Sequence, residues 1–170
     1  MSLYFKQYQA YLETLAREHV DLVHSDTNHA FSRFESEDEL NKLKARKKPF
    51  ALIVGTFYGR SKGGIDEGKM TQYASLYFVG RVKRNPENQS AELENVLQKC
   101  WEIMMDFYAR HIEDMMDDDC GPLKGLRPEE MSWDPIEEQP ILDNHFGWEM
   151  LIPFVVDRPI FNPEKWNSND

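Results

Sequence analysis

The longest amphipathic stretch of the chain spans residues 90–119 and reads SAELENVLQKCWEIMMDFYARHIEDMMDDD. Its apolar residues recur at steps of three and four, which places them on one face of an α-helix. The stripe consists of Leu93, Val96, Leu97, Cys100, Ile103, Met104, Phe107 and Tyr108. Ser90 is suited to cap the first turn, and Gly121 and Pro122 end the pattern. Such a helix has about seven turns and is roughly 40 Å long, so its stripe needs a sheet or other helices to cover it.

The segments on both sides of this helix predict what covers it. Residues 3–25 form a predicted N-terminal helix, and residues 36–46 form a short helix that opens with the capping-box pair Ser36 and Glu39. Strands are predicted at residues 50–58, 73–83, 131–136 and 148–157. Strands that cluster in hairpins, instead of alternating with helices, are typical of an α+β fold. We therefore expect a mainly antiparallel sheet of about four strands, packed against the long helix and the N-terminal helix.

Length and charge limit the classes of protein and partner. A chain of 170 residues fits one domain, which we expect at residues 1–158, followed by an irregular C-terminal arm at residues 159–170. The formal net charge of -10 opposes direct nucleic-acid binding. No apolar run approaches the roughly 20 residues that span a bilayer, and the N-terminus lacks a signal-peptide pattern. We therefore expect no membrane partner and a cytoplasmic protein, with Cys100 and Cys120 as free thiols.

The loop at residues 63–70 nearly matches the spacing of a phosphate-binding loop, but two features that bind the phosphate and its Mg²⁺ are missing. The position that should supply a Ser or Thr hydroxyl to Mg²⁺ is Met70, and a strand follows where a helix should present its N–H groups. The loop is therefore interpreted as a hairpin tip. Arg60, Lys62 and Lys69 make it one of the few positive regions, and they are candidate contact residues.

Two groups of residues raise the question of a metal site. Asp114, Asp117, Asp118 and Asp119 form an acidic patch at the end of the long helix. This patch is compatible with a metal site, with a docking surface for a basic partner, or with a solvated helix end. The second group is His19, His24 and His29, whose five-residue steps rotate a helix by about 140° each. They would not share a helical face, so we interpret them as surface or half-buried histidines.

No catalytic signature is present. The chain has no G-x-S-x-G, H-E-x-x-H or C-x-x-C motif, and Cys100 falls on the apolar stripe as a core thiol. The sequence thus predicts no catalytic residue, no cofactor and no enzymatic activity. A metal-assisted hydrolase remains as an alternative, using His111 with the carboxylates of Asp114, Asp117 and Asp118.

The C-terminal part of the chain contains candidate contact residues. Pro153 cannot donate a ladder hydrogen bond, which predicts that the last strand is an edge strand or carries a bulge there. Ile160, Phe161 and Trp166 are apolar residues of the arm. We expect all four to contribute to an interface.

Residues 136–156, with Asp143-Asn144-x-Phe146-Gly147-Trp148 leading into the last strand, resemble the C-terminal part of phage tail-terminator (tail-completion) proteins. The order of elements from residue 3 to residue 157 is similar to that family as well. The resemblance implies a non-enzymatic protein that self-associates into a ring, usually of six subunits, and contacts tail-tube or head-side proteins of a prophage or contractile particle. The alternative is a small acidic binding or immunity-type protein for a basic partner, which its charge favours.

Overall fold

The computed structural model of the chain describes residues 3–33, 37–60, 69–83, 89–116 and 121–157. Its three α-helices are α1 (Leu3–Glu18), α2 (Glu37–Lys44) and α3 (Gln89–Met115). Its strands are β1 (Phe31–Arg33), β2 (Phe50–Val54), β3 (Tyr58–Arg60), β4 (Lys69–Arg81), β5 (Ser132–Ile136) and β6 (His145–Asp157). Two short 3-10 turns lie at Gly121–Leu123 and Pro128–Glu130. None of the described helices combines the length and the apolar composition that crossing a bilayer requires.

The strands form one mixed sheet in the order β1-β2-β4-β6-β5, and β3 pairs with β4 beyond the end of β2. β1 is parallel to β2, and the other pairings are antiparallel. The predicted α+β class is therefore confirmed. The sheet has six strands instead of about four, because the strand predicted at residues 50–58 is interrupted after Val54 and because β1 was not predicted.

The two longest strands, β4 and β6, form the centre of the sheet. They pair continuously from Lys69 opposite Asp157 to Arg81 opposite His145. The strands approach so closely at Gly147 that a Cβ atom there would overlap the carbonyl oxygen of Phe78. A glycine is required at this point because only a residue without a side chain allows that approach.

The main core lies between one face of the sheet and the helices α1 and α3. The buried side chains on this sheet face include Leu76, Phe78, Met150, Ile152 and Phe154. From the helices, Tyr8, Leu12, Val96, Cys100, Ile103, Met104 and Phe107 are buried against them. The predicted stripe of α3 thus faces the core, with Leu93, Leu97 and Tyr108 half-buried at its margins. A smaller cluster on the opposite sheet face packs Leu43 of α2 against Ala51, Ile53 and Val79.

The boundaries of three predicted elements differ from the structure. α1 ends at Glu18 and not at residue 25, since the chain turns there and Val23 takes a positive φ of 47°. The polar segment that follows contributes β1, which at three residues is too short to leave a periodic pattern. α3 begins at Gln89, so Ser90 lies within its first turn and the prediction that it precedes the helix as a cap is wrong.

The prediction of an edge strand or a bulge at Pro153 is also wrong. β5 pairs with residues 147–151, so β6 is internal there. Pro153 lies beyond that pairing, and the register with β4 passes it without interruption. The Pro153 carbonyl accepts the Arg127 N–H, and the Val155 N–H donates to the Gly125 carbonyl. Alternate residues of β6 therefore direct their backbone groups away from β4, so the missing N–H of Pro153 leaves no gap in the central pairing.

Candidate functional site

Strand β5 forms one end of the sheet and is exposed along almost all of its length. Trp133 keeps 38% of its surface exposed. Asp134 lies directly opposite Glu149 on β6. Two like charges at opposed positions destabilise a strand pair. A cation that approached this pair of carboxylates would therefore stabilise it. We call β5 with its acidic flanks, Glu129, Glu130, Glu137 and Glu138, the β5 edge.

Pro135 prevents the β5 edge from extending the sheet by a further strand. Ser132, Asp134 and Ile136 pair with the β6 residues whose backbone groups face β5, so Trp133 and Pro135 direct their backbone outward. Pro135 has no N–H to offer there, and a proline at the open side of an edge strand blocks strand addition. A partner would therefore contact side chains of this edge.

An aromatic cluster lies beneath the β5 edge on the side of α3. The ring centroids of Trp101 and Trp148 are 4.7 Å apart, and those of Trp101 and Trp133 are 6.0 Å apart. The indole N–H of Trp148 donates to the Leu97 carbonyl at 3.0 Å, which anchors the cluster to α3. Because its neighbours hold it, Trp133 is presented to solvent as a rigid apolar surface, of the kind that is enriched at interfaces.

A cleft of about 400 Å³ lies at the other end of the sheet, between α1, α2 and β1. It is lined by Lys6, Gln9, Ala10, Glu13, His24, His29, Phe31, Arg33, Glu39 and Lys42, and we call it the histidine cleft. The buried side chain of Asn28 shapes the loop on one side of it by donating to the Leu22 and Val23 carbonyls and accepting the Lys48 N–H. The cleft wall is thus held by side-chain hydrogen bonds where regular structure is absent.

His24 lies in the cleft as a neutral imidazole. Its Nδ1 accepts the Phe31 N–H at 3.1 Å, and its Nε2 lies 3.7 Å from the Glu13 carboxylate. Burial lowers the pKa of His24, and the nearby Arg17 lowers it further. The ring centroids of His24 and His29 are 6.2 Å apart. The interpretation of His19, His24 and His29 as half-buried is correct. Their helical spacing did not decide how close they lie, because His24 and His29 belong to the loop after α1, whose turn brings them together.

The charges of the histidine cleft are unevenly paired. Glu13 bonds Arg17 at 2.7 Å, and Glu39 bonds Arg33 at 3.0 Å. Burial alone would raise the pKa of Glu39, but hydrogen bonds from the Arg33 side chain and backbone outweigh it and hold that pKa below its usual value. Lys6 on α1 and Lys42 on α2 form no ion pair within the described part of the chain. Among the described residues, the cleft therefore presents two lysines without an ion pair, of which Lys42 also contributes to lowering the pKa of Glu39.

No protein-family model matches the chain, and neither a curated protein nor a solved structure is significantly similar to it. The resemblance to tail-terminator proteins therefore stays a prediction.

The acidic patch that sequence analysis singled out is partly occupied by structural contacts. Asp114 bonds Arg110 at 2.9 Å and accepts the Tyr11 hydroxyl at 2.9 Å. His111 is fully buried, with one ring nitrogen bonded to Tyr8 and the other to the Phe107 carbonyl. Asp117, Asp118 and Asp119 lie outside the described residues. Asp114 and His111 thus both take part in structural contacts, and the described residues contain no group of three potential metal ligands. The hydrolase alternative stays a prediction.

Three of the seven predicted contact residues lie in the described part of the chain, at the same end of β4. Lys69 is exposed at the start of β4, and Arg60 is the last residue of β3. Pro153 is buried and offers no contact surface. Lys62, Ile160, Phe161 and Trp166 lie outside the described residues. Sequence reasoning missed the β5 edge and the histidine cleft because both depend on which strands end the sheet, which no local pattern encodes.

Proposed function

We propose that this protein is a non-enzymatic assembly subunit that associates with further copies of itself head to tail. The resemblance to phage tail-terminator proteins specifies the proposal as a closed ring at the end of a tail-like particle. The observation that carries self-association is the β5 edge. It exposes a rigidly held Trp133 on the α3 face of the sheet and the opposed carboxylates of Asp134 and Glu149 on the other face.

The difference between the two ends of the sheet supports head-to-tail contact. The β5 edge is acidic, whereas the β1 end carries the histidine cleft with Lys6 and Lys42. Two copies of one acidic edge would repel each other, which disfavours a symmetric contact of the β5 edge with itself. Contacts between two different surfaces of the same chain build rings when the rotation closes.

The test is the absolute mass in solution, measured by light scattering across protein concentration and salt. We expect a closed oligomer of fixed mass. Trp133→Ser should raise the apparent dissociation constant at least about tenfold, since it removes a central apolar contact. Val20→Ser is the matched control, because Val20 is 81% exposed in the turn after α1 and belongs neither to the β5 edge nor to the lining of the histidine cleft. A mass that stays monomeric at every concentration, or equal weakening by both substitutions, would contradict the proposal.

A second candidate, an acidic binding protein for a basic partner, is favoured by the like-charged pair of Asp134 and Glu149. It predicts a monomer at every salt concentration and a heterodimer with a basic protein that dissociates as salt screens the contact. Self-association that survives when Asp134 is replaced by Asn would count against this candidate.

A further inference from the structure

We infer that the histidine cleft of one subunit receives the carboxylates of the β5 edge of the next subunit. This inference rests on the proposed self-association and adds the partner surface that the β5 edge would contact. It joins the two ends of the same sheet: the cleft lies beside β1, and the acidic edge is β5.

The cleft has the chemistry to hold carboxylates from outside. Lys6 and Lys42 stand on opposite walls, on α1 and α2, and neither forms an ion pair with a carboxylate of the described residues. The two acids among the described residues that line the cleft, Glu13 and Glu39, are already engaged by Arg17 and Arg33. A carboxylate that enters would meet two ammonium groups without first breaking an ion pair, so the cost of reorganisation is small.

The β5 edge has the complementary geometry. Asp134 points to the side of the sheet away from α3, because it pairs with Glu149 while Trp133 pairs with Met150 on the core side. Asp134, Glu137 and Glu138 are exposed and have no ion pair among the described residues. The lysines of the cleft would reduce the repulsion between Asp134 and Glu149. In return, these carboxylates would neutralise positive charge in the cleft.

Opposite charges at the two ends also explain how a chain of net charge -10 can associate with itself. Repulsion between whole molecules is screened beyond roughly 8 Å at physiological ionic strength, whereas contacts across an interface act at shorter distances. The contact should therefore depend on a few local pairs, which charge reversal can test directly.

The experiment uses two double variants of the full-length chain. The cleft variant is Lys6→Glu with Lys42→Glu, and the edge variant is Asp134→Lys with Glu137→Lys. All four side chains are exposed, so far-UV circular dichroism should show an unchanged secondary structure. Each variant alone should assemble at least about tenfold more weakly than the wild type, because like charges then face each other.

Mixing the two variants supplies the decisive result. The acidic cleft of the cleft variant then faces the basic β5 edge of the edge variant. The second contact joins the unchanged cleft of the edge variant to the unchanged β5 edge of the cleft variant. A one-to-one mixture should therefore assemble with alternating subunits. The matched control is Lys83→Glu with Lys124→Glu, which makes the same charge change at exposed lysines outside the cleft and should not respond to mixing with the edge variant.

The outcomes separate the inference from the proposed function. If the wild type assembles and the variants assemble equally well, or if mixing restores nothing, the cleft is not the acceptor and self-association stands. If the wild type is monomeric throughout, both are contradicted. Citrate, a small anion with three carboxylates, tests the alternative occupant of the cleft. If citrate raises the melting temperature of the wild type but not of the cleft variant, and charge reversal leaves assembly unchanged, the cleft is a small-anion site. That result would overturn the inference.

Discussion

Two histidines, His111 and His145, are buried, and both ring nitrogens of each are hydrogen-bonded. In His145, Nδ1 donates to the Asp143 carbonyl at 2.7 Å and Nε2 accepts from Arg46 at 2.9 Å. In His111, Nδ1 donates to the Phe107 carbonyl and Nε2 accepts the Tyr8 hydroxyl. Burial lowers the pKa of each to about 4, and Arg46 adds to the effect at His145. Protonation of either ring would turn an accepting nitrogen into a second donor.

We predict that the protein loses stability as pH falls from about 6.5 to about 4. Both histidines take up a proton near pH 6.5 when unfolded and only near pH 4 when folded, so acid favours the unfolded chain across this window. Each should contribute a slope of at most about 1.4 kcal/mol per pH unit. The measurement is the free energy of unfolding in urea at pH 7.5, 6 and 5. His145→Gln should fall less steeply, and an equal slope in both proteins would contradict this assignment.

Among the elements, α3 carries the packing of the main core. Phe107 lies near its middle, 2% exposed, with its ring centroid 5.1 Å from that of Phe78 on β4 and 5.7 Å from that of His19. Cys100 lies about two turns earlier on the same face of α3 and is buried as well. Burial raises the pKa of its thiol to about 12. Its expected role as an inert core thiol agrees with this environment.

Phe107→Ala should destabilise the protein by about 3–5 kcal/mol, because it removes a buried ring and leaves a cavity between α3 and the sheet. The free energy of unfolding from chemical denaturation measures this loss. Glu113→Ala, on the exposed side of the same helix, should change it by no more than about 0.5 kcal/mol. A small effect of Phe107→Ala would show that the helix repacks and that the stripe is not the main source of cohesion.

At the scale of the whole molecule, the C-terminal arm is a second candidate contact region. Its apolar residues Ile160, Phe161 and Trp166 follow β6 in the sequence and lie outside the described residues. Removing residues 158–170 should weaken assembly in light scattering, because an apolar arm that docks on a neighbouring subunit adds buried area. Replacing the three apolar residues with Ser in the full-length chain should have the same effect. If the truncated protein assembles as well as the full chain, the arm makes no contact between subunits.

Local patterns predicted the helices and most strands of this protein. The three- and four-residue spacing from Leu93 to Tyr108 is sufficient to place α3 and its buried face, since the period of a helix depends only on residues close in the chain. The strands β4, β5 and β6 follow from β-branched and aromatic content in the same way. The single residues Pro153 and Ser90 were misassigned because their roles depend on neighbours: on which strand flanks β6, and on where α3 starts.

The sequence by itself determined the α+β class, the core face of α3 and the acidic character of the protein. Only the tertiary structure decided that β6 is internal, that β1 and β5 end the sheet, and that Lys6, His24 and Lys42 line one cleft. The physical reason is the range of the interactions. Helical period and β-propensity act between residues a few positions apart, whereas strand order comes from pairings such as Leu76 with Met150, which are far apart in the chain.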